Sequence, residues 1–180
     1  MDISKKDAAL DEILLSINLI FSDSHHLSAH LLAASAREIL NTIGEKTGIE
    51  TFLRLYSGVD SEKFSGALKS ASSMVSYLKH ADRDYDKVLE GFDEESTDYI
   101  LYFACYDYRA IFDELPIEAE VYEAWFWAVH ADTFSNELHT PRPTVVEISD
   151  QIFPGIRNLP RSAQKRAGLS ELRTQIKWPD

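Results

Sequence analysis

The stretch Ala9-Leu10-Asp11-Glu12-Ile13-Leu14-Leu15-Ser16-Ile17-Asn18-Leu19-Ile20-Phe21 decides the fold class, because Ala9, Leu10, Ile13, Leu14, Ile17 and Ile20 recur at helical spacing. The helix it predicts, over about residues 7–21, has one apolar face that must be buried against a neighbour. Downstream the same period returns. Ser22, Asp23 or Ser24 offers a cap for a second helix that runs to about Thr42 and stops at Gly44. That helix carries Leu27, Leu31 and Ala34 on one side and Leu32, Ile39 and Ile43 on another, the pattern of a helix at the centre of a bundle. A short helical segment at 50–56 precedes a helix capped at Asp60 or Ser61 and reaching about His80. Its apolar face is Phe64, Leu68, Ala71, Val75 and Leu78, and Gly66, Ala67, Ala71, Ser72 and Ser73 are small enough to admit a closely packed partner helix. Asp93 with Ser96 opens a fifth helix to about Glu114, and Pro116 suits the first turn of a sixth that reaches about His130. No segment alternates with period two. The expectation is an all-α chain: a single helical bundle of about five to six helices over residues 1–132. A proline-rich, partly irregular C-terminal tail over 133–180 follows, in which Pro141, Pro143, Pro154, Pro160 and Pro179 leave only short helical patches near 144–152 and 162–176.

Length and composition bound the function. A chain of 180 residues fits one domain and buries roughly 70% of its unfolded surface, and 44% hydrophobic with 27% charged residues is an ordinary globular balance. Residues 142–180 carry seven Lys and Arg against four Asp and Glu, a net +3, which leaves 11 against 26, a net −15, for residues 1–141. An acidic body repels phosphate backbones, so nucleic acid is disfavoured as a partner, and basic partners or divalent cations fit better. The longest apolar run, 99–106, is far short of the roughly 20 residues a membrane helix needs. The N-terminus mixes acids with its lysines and leads into an amphipathic pattern, not a signal-peptide core, so a cytoplasmic location is expected. Cys105 is the single cysteine and sits among aromatics, which suits a small buried apolar role.

Two places carry candidate chemistry. Lys79-His80-Ala81-Asp82-Arg83-Asp84 sets an imidazole, two carboxylates and two cations within six residues at a helix end. His80, Asp82 and Asp84 suit general acid–base work or a divalent metal, and Arg83 suits an anionic group. The structural alternative is a corner in which His80 meets the helix dipole and the carboxylates bond loop amides. His30 from the facing helix could join the same site as a metal ligand. His26, four residues before it, is a weaker candidate because the glutamate of an H-E-x-x-H motif is absent and a histidine on an apolar helix is commonly a hydrogen-bonded core residue. Ten of the twenty aromatics fall between Tyr99 and Trp127, but eleven carboxylates against Arg109 between Asp93 and Asp132 favour core packing over base stacking.

Around the Lys79–Asp84 segment the chain resembles a group of uncharacterised bacterial all-helical proteins. They share a histidine-bearing Ala-rich helix, a K-H-A-D-R-D segment, a tyrosine-rich helix and a final W-F helix ending near a histidine. The matching features here are His30 through Leu40, Lys79 through Asp84, Tyr99 through Tyr108, and Trp125-Phe126 with His130, so the resemblance spans about residues 27–132 and implies a shared fold and a common site. The chain is also similar, more weakly, to HEPN-type helical domains. His80 takes the place of their helix-end histidine, but Met74, Val75 and Ser76 stand where their arginine would be and Arg83 lies on the other side. Together these features point to a binding or regulatory module that acts through a protein partner or self-association. The alternative is a metal-dependent or HEPN-like hydrolase or ribonuclease centred on His80, Asp82 and Asp84, and a divalent metal is the one cofactor the pattern admits.

Overall fold

The computed structural model describes residues 2–56, 62–79, 82, 85–135 and 143–176. Among them run eight α-helices and no strand: α1 (Lys5–Phe21), α2 (His26–Thr47), α3 (Phe52–Leu55), α4 (Glu62–Lys79), α5 (Glu95–Phe112), α6 (Ile117–Ser135), α7 (Pro143–Ile152) and α8 (Arg161–Ile176). A 3₁₀ turn, Ile156–Asn158, joins the last two. The fold is all-α, as the periodicity requires.

Helix α1 begins with a capping box. The Ser4 hydroxyl accepts from the Asp7 amide at 3.1 Å while the Asp7 carboxylate accepts from the Ser4 amide at 3.2 Å. Its apolar stripe, Ala9, Ile13, Ile17 and Ile20, is buried, and the Ser16 hydroxyl within that stripe donates to the Ala29 carbonyl of α2 at 2.9 Å. Helix α2 does not stop at Gly44. It continues to Thr47 and ends at Gly48, whose φ of 75° is the left-handed stop. Gly44 serves a different need: a Cβ there would stand 2.5 Å from Thr51 Cγ2, so the chain after α2 can fold back only over a glycine. The cap of α2 is His25 at φ 49°, without a side-chain hydrogen bond, and not one of the three residues before it.

The central helix is α5, not α2. Every residue from Ser96 to Cys105 is buried, and α5 touches α1, α2, α3, α4 and α6. A helix buried around its whole circumference must be enclosed by others. Its rings stack into the core: Tyr102 on Phe126 at 4.3 Å and Phe103 on Phe52 at 4.3 Å. Cys105 is fully buried, and burial pushes its thiol well above its ordinary range. On α2, by contrast, Leu27 and Leu31 remain largely exposed.

The patches read at 144–152 and 162–176 correspond to α7 and α8. Prolines punctuate this region without preventing helix: Pro143 opens α7, Pro160 immediately precedes α8, and Pro154 lies in the turn between them. Helix α8 lies against α1 and α6. Gly168 meets the Phe21 ring, Leu172 is buried, and the Gln164 carbonyl accepts from Trp125 Nε1 at 2.8 Å. Among the described residues no helix is long and apolar enough to cross a membrane.

Candidate functional site

The small residues Ala67 and Ala71 of α4 are buried where that helix packs closely on α5. On the side of Gly66, Ser70 and Ser73 the chain returns as a segment without helix or strand over residues 87–93, and a cleft of about 520 Å³ opens there. Gly66, Ser70 and Ser73 of α4 form one wall, Leu89 to Asp93 the other, and Ser96 and Tyr99 of α5 close the end. Hydrogen bonds fix the junction of the walls. The Ser96 hydroxyl donates to the Asp93 carbonyl at 2.6 Å and lies 3.1 Å from Ser70 Oγ, and Asp93 Oδ1 accepts from the Glu95 amide at 3.0 Å. Among the described residues, the rim carries Glu90, Asp93 and Glu95 together with Lys69, all exposed.

Beneath the segment that carries Phe92 lies His30 of α2, fully buried. Its Nδ1 is 2.9 Å from Thr97 Oγ1 on α5, Phe92 meets the ring edge-on at 5.5 Å, and Nε2 has no hydrogen-bond partner. Burial drives the imidazole down to about 4, against the opposing pull of the Asp93 charge and the Ser70 backbone. The ring is therefore neutral at pH 7. Asp93 and Ser70, which both act on this ring, are cleft residues, and Phe92 stands between the imidazole and the cleft.

A second buried histidine, His130 of α6, sits in a different setting. Its Nε2 is 2.8 Å from Asp98 Oδ2 and its Nδ1 is 3.2 Å from the Tyr99 hydroxyl. Asp98, fully buried on α5, also accepts from Arg161 Nη2 of α8 at 2.7 and 2.6 Å. Burial would push this carboxyl up, but Arg161 and His130 together hold it below its ordinary value. The guanidinium lies over Trp125 at 5.0 Å. This centre fastens α5, α6 and α8 to one another. A neighbouring gap, between Asp98, Arg161 and Lys165, holds about 10 Å³, too little for a ligand.

Among the described residues, Asp23, His26 and Glu94 form the one group with metal-ligand proximity, their donor atoms within 4.8 Å of one another. The chain supplies its own cation there. Lys165 Nζ, on a side chain only 2% exposed, stands 2.7 Å from both Asp23 Oδ1 and Glu94 Oε2. The hydrogen bond from Lys165 holds Asp23 below its ordinary value, with His26 and Arg161 adding to it.

The residues singled out from sequence thus fall into separate places. His26 is half-buried beside Asp23 and Glu94, whereas His30 turns to Thr97. Asp82 is exposed, and His80, Arg83 and Asp84 lie outside the described residues. In chain order the Lys79–Asp84 segment falls between the cleft's two walls, after Met74 and before Leu89. The reading missed Phe92 and Tyr99 as cleft residues and Asp98 and Arg161 as a buried pair. A carboxylate one residue before the apolar run 99–106 was the available signal for the latter. No family model, curated protein or solved structure matches this chain.

Proposed function

We propose that this chain is a binding or regulatory module whose ligand site is the cleft between α4 and the segment 89–96. One observation carries this reading: an open space of about 520 Å³ between α4 and the segment 89–96 is lined by Phe92, whose ring meets the buried imidazole of His30 edge-on. Concave sites with a few convergent polar groups are where small ligands bind. The alternative, a hydrolase centred on His80, Asp82 and Asp84, concerns residues of which Asp82 alone is described, and Asp82 is exposed. The test is a fragment screen by amide NMR on the full chain and on Ser73→Trp, which fills the cleft from an exposed position. Fragments should shift Ser70, Phe92, Ser96 and Tyr99, and Ser73→Trp should abolish those shifts while keeping a folded spectrum. Binding that Ser73→Trp leaves unchanged would overturn the reading.

A further inference from the structure

We propose that the chain self-associates head to tail, the apolar stripe of α7 in one copy lying in the groove between α1 and α2 of the next. Neither surface shares a residue with the cleft, so the inference is independent of the ligand-site reading. The receiving face follows from the register of the first two helices. The Ser16 hydroxyl donates to the Ala29 carbonyl and the Ser35 hydroxyl to Glu12 Oε1, both at 2.9 Å, so α1 and α2 run antiparallel with Leu15 level with Leu31. Leu15, Leu27 and Leu31 stay 36–50% exposed on this pair. Beyond them a groove of about 500 Å³ opens between Ala8 and Glu12 of α1 and Ser35, Ile39 and Ile43 of α2.

The entering face is α7. This helix lies against α6, buries Ser149, half-buries Val146, and leaves Val145, Ile148 and Ile152 37–50% exposed. The spacing i, i+3, i+7 sets these three on one stripe, the anchor pattern of a helix that lies in a groove. Single exposed apolar residues are ordinary, but a stripe and a groove on one chain are complementary, and a contact between unlike surfaces repeats from copy to copy. Charge selects this pairing over like with like. The receiving face carries, among the described residues, Asp11, Glu12 and Glu38 against Lys5, so two such faces would set carboxylate against carboxylate. On the entering side, a depression beside Ile152 is shared with Ser170 and Glu171 of α8. There Arg166 and Arg173, exposed one turn before and after Ser170, offset Glu171 and Glu147, and Asp150 is paired with Arg157 at 2.6 Å. The same division runs through the whole chain, net −15 over residues 1–141 and +3 over 142–180.

The experiment is sedimentation velocity of the full chain from about 1 μM to about 1 mM, the span over which weak contacts form. The average mass should rise with concentration. Leu15→Lys should weaken association about tenfold or more by blocking the receiving face, and Ile148→Glu should do the same by blocking the stripe. Both positions are exposed, and circular dichroism should show both variants folded; Leu31→Lys or Ile152→Glu takes the place of one that is not. An equimolar mixture of the two variants should form a one-to-one dimer, since the intact stripe of Leu15→Lys fits the intact groove of Ile148→Glu. If either face instead paired with its own copy, one variant would associate like the wild type. A wild-type chain that stays monomeric to about 1 mM, association that either variant leaves unchanged, or a mixture that remains monomeric would each overturn the proposal.

Discussion

His130 and His30 both reach α5 from neighbouring helices and are both buried, yet one is closed and the other open. His130 uses both ring nitrogens, on Tyr99 and Asp98, whereas His30 uses one, on Thr97, and leaves the other bare. The two α5 partners are adjacent in sequence, Thr97 and Asp98, so the contrast arises from what covers each side. On the Asp98 side, α6 and α8 bring His130 and Arg161; on the Thr97 side, α4 offers small side chains and the chain crosses without regular structure. A buried polar group with a full set of partners is structural, because its desolvation is already offset. One that lacks a partner beside an opening is where a ligand has something to gain.

The largest effect should come from breaking the closed side. Asp98→Ala would leave Arg161 and His130 without their shared carboxylate in a site where Asp98 is fully buried and Arg161 is 18% exposed on its side chain. Removing one partner of a buried charge set costs about 3–5 kcal/mol. For a chain of this size that lowers the midpoint of thermal unfolding by on the order of 10 °C, read by circular dichroism. A loss below about 1 kcal/mol would show that the centre is not closed in solution, and the contrast with His30 would fail.

The next effect sharpens the comparison through pH. His30 titrates near 4 in the folded chain against an ordinary value of 6.5, because burial disfavours its charged form. The unfolded chain then takes up a proton that the folded chain refuses. Stability from this group is complete above pH 6.5 and is lost as pH falls towards 4, at up to about 1.4 kcal/mol per unit. Asp107 and Glu123, each raised by burial to about 7, act with the opposite sign: their contribution is present at low pH and lost as pH rises towards 7. The wild-type curve sums these, so the comparison must be with a variant. Between pH 7 and pH 5, the stability of His30→Gln relative to wild type should improve by about 2 kcal/mol in urea unfolding, since the variant has no proton to refuse. A pH-independent difference would mean that His30 is solvated, and the open corner would lose its meaning.

The helical period was legible along most of the chain because it is a local property. The stripe of Ala9, Ile13 and Ile17, the proline that opens the sixth pattern, and the two patches beyond residue 140 all correspond to helices. Which helix is central was not legible. Asp98 and Asp107 make α5 look amphipathic, and only the arrival of Arg161, 63 positions later, makes burial of Asp98 tolerable. The candidate site was less visible still. His30 reads equally well as a ligand or as a core residue until Thr97 is placed beside it, and a cleft is the absence of something over the small side chains of α4. No residue pattern encodes an absence.

The smallest effects come from one substitution made on the two sides. Gly168 on α8 and Gly66 on α4 are both helical glycines, so alanine at either relieves about 0.5–1 kcal/mol of backbone entropy cost. Their surroundings decide the sign. A Cβ at Gly168 would lie 2.4 Å from Phe21 Cε1 and 2.7 Å from two further atoms of that ring. The ring cannot retreat, because it is 1% exposed and packed on Trp125 and Tyr122 at 5.3 and 5.9 Å. Overpacking of about 1–3 kcal/mol then outweighs the entropy gain, for a net loss of about 1–2 kcal/mol. A Cβ at Gly66 meets no atom within 4 Å, so the entropy gain stands alone. Urea unfolding should therefore show Gly168→Ala destabilised and Gly66→Ala stabilised by roughly 0.5–1 kcal/mol. Two losses would mean that something packs over α4 where the cleft lies, and the open side of the molecule would be closed like the other.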